Sequence, residues 1–79
     1  MMFNDTIDYM KNGANIMRER EKAGLSQEQL AVKIHITQRQ LDLYERDLQE
    51  MSVTRLQEIA ETLKTPVANL LKKNKDPEQ

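Results

Sequence analysis

The chain has no cysteine and no tryptophan. Without thiols, neither a disulfide nor a thiolate metal site can support the fold. The one histidine, His35, cannot build a zinc site alone. Glycine and proline number two each, so little of the chain is marked as turn or breaker. No strand-like alternation runs beyond a few residues. No apolar run approaches the ~20 residues that span a bilayer. The N-terminus lacks a basic-then-apolar signal pattern, so the chain is expected to be soluble and cytoplasmic, with no membrane partner. A surplus of positive charge is also missing, since the formal net charge is −1.

What is present is a set of capped, amphipathic helical patterns. The 79 residues suffice for one domain with a thin core. Hydrophobic residues make up 38% and charged residues 32%, which is polar but foldable. The first pattern runs from about Ala14 to Ala23 and ends at Gly24, which suits a left-handed residue after a helix. The second opens at Ser26, where Ser-Gln-Glu-Gln forms a capping box that places Gln29 near the Ser26 amide. The third opens at Thr37 and repeats the device with Gln40. The fourth is capped by Ser52 and carries Leu56, Ile59, Ala60 and Leu63 at i, i+3, i+4 and i+7. The fifth has Thr65 as cap and Pro66 at the first helical position.

These patterns divide the chain into an extension over 1–13, a domain over 14–73 and a flexible polar tail over 74–79. In the extension, Phe3, Ile7 and Met10 can share one helical face, to pack on the domain or to form a dimer contact. The expected core comprises Ile16, Leu25, Leu30, Ala31, Ile34, Ile36, Leu41, Tyr44, Val53, Leu56, Ile59, Ala60, Leu63, Val67 and Leu70.

At 100° per residue the third helix has two unlike arcs. Leu41, Tyr44 and Glu45 fall on one, which is apolar apart from Glu45 and therefore faces the domain. Gln38, Arg39, Asp42, Leu43 and Arg46 fall on the other. A solvated helix surface has such polar residues too. Two capped helices joined by a tight turn add the geometry of a major-groove reader. Gln38 can bond adenine N6 and N7, Arg39 guanine O6 and N7, and Leu43 can touch a thymine methyl. Arg46 lies a turn further on, within reach of a phosphate. Asp42 repels phosphates, and i±3 or i+4 pairing would tie it to Arg39 or Arg46.

Arg20, Gly24-Leu25-Ser26-Gln27, Leu30-Ala31, Thr37, Tyr44-Glu45 and the run Leu56 to Leu63 resemble, in order and spacing, the Cro- and repressor-type helix-turn-helix (XRE) family. The resemblance covers about residues 14–71. It implies an all-α, compact five-helix, lambda-repressor-like domain that binds double-stranded DNA. It also implies base contacts from Gln38, Arg39 and Leu43, and backbone contacts from Gln27, with Gln40 and Arg46 expected beside it. Helix N-termini favour anions, in accord with the Gln27 role. A structural ion pair between Arg20 and Glu45 is implied as well, joining the first and third helices.

The chain departs from that family at particular positions. His35, Asp47 and Lys64 stand where glycine is common, and left-handed backbone there would cost about 1–2 kcal/mol each. The loop Asp47-Leu48-Gln49-Glu50-Met51 has no cation, where the family often grips phosphates. Leu48 and Met51 would serve a protein contact or close the core. Charge follows the same division. Residues 11–46 hold seven basic and five acidic residues, whereas residues 47–63 hold four acids and only Arg55. Electrostatic affinity for DNA should therefore be modest.

The expected activity is transcriptional regulation, as a repressor acting by occupancy. A homodimer on a near-palindromic site is expected, with Leu71 and the extension as candidate dimer surfaces. The alternative is a protein-interaction module on the same fold, with a protein partner and weak or no DNA binding. An enzyme is not expected, because no nucleophile–histidine–acid set, phosphate-binding glycine loop or metal cluster is present. No metal and no cofactor are expected.

Overall fold

Ser26, Thr37 and Ser52 all hold extended backbone, and each hydroxyl accepts a hydrogen bond from the amide three residues on. One of the orphan donors that opens every helix is thereby satisfied. In the computed structural model, which describes residues 12–71, these caps begin three of five helices. The helices are α1 (Gly13–Lys22), α2 (Gln27–Lys33), α3 (Gln38–Glu45), α4 (Val53–Leu63) and α5 (Val67–Leu71). The described residues are all-helical, without a strand. The 1–13 extension, apart from Asn12 and Gly13, and the 74–79 tail lie outside the described residues, as do Phe3, Ile7 and Met10.

The Ser26 capping box is complete. The Ser26 N–H donates to Gln29 Oε1 at 2.8 Å, and the Gln29 N–H donates to Ser26 Oγ at 3.0 Å. At Thr37 the hydroxyl accepts from the Gln40 amide at 3.0 Å, and no return bond from the Gln40 side chain forms. The expected Thr65 cap is corrected. Helix α5 starts at Val67, the Asn69 N–H bonds to the Pro66 carbonyl, and the Thr65 hydroxyl accepts from the Asn69 side chain at 2.9 Å. The first turn of α5 closes on the Pro66 carbonyl, one residue after Thr65.

Helices α1 to α4 end in the same way. Gly24, His35, Asp47 and Lys64 are the left-handed residues, at φ of 78°, 62°, 61° and 56°. The amide of each bonds to the carbonyl three residues back, and the following amide bonds to the carbonyl five back. This is the Schellman pattern, which satisfies the last carbonyls of a helix. Three of the four carry a Cβ, so these turns hold strain that glycine would lack.

The core is one cluster built from Ile16 of α1, Leu30 and Ala31 of α2, Ile34, Leu41 and Tyr44 of α3, the α4 stripe and Leu70 of α5. Leu25, Ile36, Met51, Val67 and Leu71 pack on its margin. Val53 departs from the expected core. It opens α4 a turn before the buried stripe, and 52% of it is exposed. Leu48 is likewise exposed, while Met51 closes the core.

Polar residues complete the joints between helices. Asn15 is buried, and its Nδ2 donates to the Leu70 carbonyl at 3.0 Å, tying α1 to α5. Gly13 lies against the end of α3, and a Cβ there would run into the Glu45 carbonyl. Its N–H donates to Asp47 Oδ1 at 2.9 Å. Asn12 makes no capping bond, so the carboxylate at the end of α3 accepts from the first turn of α1 in its stead. A negative charge is favourable at a helix N-terminus.

Candidate nucleic-acid interface

Helix α3 buries Leu41, Tyr44 and Glu45 and leaves Gln38, Arg39 and Arg46 exposed, with Gln40, Asp42 and Leu43 half-buried. The inner arc explains the setting. Leu41 and Tyr44 supply apolar area, but a buried carboxylate needs a partner. The Arg20 guanidinium provides it, with Nε donating to Glu45 Oε2 at 2.7 Å and Nη2 donating to Oε1 at 3.1 Å. Arg20 Nη1 also donates to the Leu25 carbonyl at 2.8 Å. One side chain of α1 thus joins the turn before α2 to the inner face of α3. A planar guanidinium suits this because it bonds a carboxylate at two points and retains further donors.

Gln27 extends the chain of bonds outward. Its Nε2 donates to Glu45 Oε1 at 2.9 Å and to Asp42 Oδ1 at 3.2 Å. Asp42 in turn meets Arg46, whose Nε lies 3.1 Å from Oδ2 and 3.3 Å from Oδ1. The first residue of α2 is therefore tied to the middle and the last residue of α3. On the opposite side, Arg55 Nη1 donates to the Ile34 carbonyl at 3.3 Å and to Glu58 at 2.8 Å. The single cation of the 47–63 segment holds the α2–α3 turn.

Gln38 and Arg39 are positioned differently. Among the described residues neither side chain has a hydrogen-bond partner, and both project from the first turn of α3. Leu43 is partly covered and Gln40 lies beside the cap. The expected DNA-contacting residues therefore split into two groups. Gln38 and Arg39 have their polar atoms available, whereas Gln27 and Arg46 already bond within the protein.

Sequence reasoning missed Asn12, Asn15, Glu19 and Asp47 as structural polar residues. A pattern of apolar spacing has no channel for a polar residue that bonds across helices. Glycine spacing alone does not reveal that the Gly13 backbone lies against the end of α3.

A model of the helix-turn-helix family matches residues 16–70, which takes in all five helices apart from the first three residues of α1 and the last residue of α5. The chain belongs to the Cro/C1-type helix-turn-helix (XRE) family. It is accordingly a helix-turn-helix DNA-binding regulator, with α2 and α3 as the motif. No curated protein matches the chain. Among the described residues no helix is long and apolar enough to cross a membrane.

Proposed function

We propose that this helix-turn-helix chain is a sequence-specific transcriptional repressor that places α3 in the major groove. Gln38 and Arg39 read base edges, Leu43 touches a thymine methyl, and Gln27, Gln40 and Arg46 meet the backbone. The protein acts in the cytoplasm as a homodimer on a near-palindromic operator, with recognition helices about 34 Å apart. Repression by occupancy requires no further machinery. The observation that supports this reading is the pair Gln38 and Arg39, exposed and unbonded on a helix whose opposite face is locked to the domain.

The competing reading is a protein-interaction module. Exposed Leu48 in the cation-free 47–51 loop, and exposed Val53 just after it, favour it. Selection of duplexes from a random library separates the two, because a module with no DNA role enriches nothing at low salt. Within the enriched site, Arg39→Ala should weaken binding by about 1–3 kcal/mol and relax preference at one base pair. An equal loss on every sequence would make Arg39 a phosphate contact instead.

A further inference from the structure

Helix α3 is tied to the domain over its second half. Gln27 reaches Asp42 and Glu45, and Arg20 reaches Glu45. The first turn carries Gln38 and Arg39, and among the described residues no hydrogen bond from another helix reaches residues 37–40. Apart from Ile36 at the margin of the core, its position depends on the turn before it. There His35 holds φ at 62°, the left-handed region that a residue with a Cβ avoids. The peptide between Ile34 and His35 is bonded at both of its polar groups. Its N–H donates to the Val32 carbonyl at 3.2 Å within α2, and its carbonyl accepts from Arg55 Nη1 at 3.3 Å in α4. The same Nη1 donates to Glu58 Oε1 at 2.8 Å, and the Arg55 side chain is only 28% exposed.

We propose that Arg55 is a positioning residue for DNA recognition, with α3 read as the recognition helix as above. From α4 it holds the Ile34–His35 peptide, and so keeps closed the strained turn that presents Gln38 and Arg39. Relative to glycine, a left-handed Cβ favours opening of such a turn by about five- to thirtyfold. Opening would carry the first turn of α3 with it, because the Thr37 hydroxyl that caps that turn lies two residues beyond His35. The amides of His35 and Ile36, bonded to Val32 and Ala31, oppose opening from α2. Arg55 opposes it from α4, and a charged donor makes the stronger bond. Glu58 holds the guanidinium in place, so the bond is made by a group that is already ordered. Only chains with the turn closed display both base readers, and apparent affinity scales with that fraction.

The test uses the full chain and a duplex selected from a random library. Arg55→Met keeps the apolar stem and removes every donor. It should raise the apparent Kd roughly tenfold, within the range set by the left-handed penalty. Hydrogen exchange of the Gln40 amide, which bonds to Thr37, should speed up by a similar factor. The log–log salt dependence of binding should keep its wild-type slope, because no phosphate contact is lost. Adding His35→Gly removes the strain and should bring both Kd and exchange back to within about twofold of wild type. A thermal melt establishes that each variant is folded. Unchanged affinity in folded Arg55→Met would show that the residue serves stability alone and overturns the assignment. A slope shallower by about 0.9 would make Arg55 a phosphate contact and overturns it too. So does a loss of affinity that His35→Gly fails to rescue. A wild-type chain that selects no duplex overturns the DNA reading itself. Exchange at Gln40 then decides the hold on the turn, which stands if His35→Gly restores protection and falls if it does not.

Discussion

Helices α3 and α4 start alike and are held in place by different forces. Each opens at a hydroxyl cap and closes at a left-handed residue bearing a Cβ. Helix α4 buries four apolar residues, Leu56, Ile59, Ala60 and Leu63, along its 11 residues. Helix α3 has eight residues and buries two apolar side chains and a carboxylate. Apolar burial is non-directional and fixes a helix only to within the fit of its neighbours. The bonds from Arg20 and Gln27 are directional, and they fix the rotation of α3 about its own axis. Under the proposed function, a helix that presents Gln38 and Arg39 to a groove needs that control. Helix α4 does not, and its exposed face carries the acids Glu58 and Glu61.

The largest expected effect breaks the α3 side of this comparison. Glu45→Ala leaves the Arg20 guanidinium buried with one carbonyl partner and removes an acceptor from Gln27. Removal of one partner of a buried pair costs about 3–5 kcal/mol, so denaturant midpoints should fall steeply. A change of a few tenths would mean that α3 is held by Leu41 and Tyr44 alone. Next comes the α4 side. Ile59 is fully buried, and Ile59→Ala should cost about 2–5 kcal/mol through lost contact and a cavity. Its loss should be insensitive to salt. Strong salt dependence would show that the two helices are not held by different forces.

The smallest effects sharpen the contrast at the helix ends. Lys64→Gly relieves a left-handed Cβ and should raise stability by about 1 kcal/mol. Asp47→Gly relieves the same strain at the end of α3 but removes the acceptor of the Gly13 amide. A hydrogen bond to a charged group contributes about 1.5–3 kcal/mol, so the net result should be a loss. Equal gains at both sites, measured by chemical denaturation, would show that the Asp47 bond contributes nothing.

Much of the scaffold was legible in sequence because caps and apolar spacing are local signals. Ser26, Ser52, Gly24 and the stripe from Leu56 to Leu63 act within one or two turns of the residues that reveal them. Left-handed backbone at His35, Asp47 and Lys64 could be expected from the family's glycines at those positions, and it occurs. Val53 misled because its spacing suits the stripe while no neighbour covers the start of α4. Thr65 misled because the turn closes on the Pro66 carbonyl, one residue on. For the interface, residue type and helical angle nominated Gln38 and Arg39, and the same reasoning paired Asp42 with a neighbouring arginine. It could not choose Arg46 over Arg39, because both lie within reach along the helix.

By itself the sequence determined most of the helix starts and ends, which arc of α3 faces inward, and that the chain carries no basic surplus. These follow from caps, periodicity and composition, all of which are properties of neighbours in the chain. The tertiary structure alone decided that Gln27 bridges Asp42 and Glu45, that Asp47 accepts from Gly13, and that Asn15 ties α1 to α5. The partners in those bonds lie 15 to 55 residues apart. Their pairing depends on how the helices pack, and no local pattern of polar residues encodes that packing.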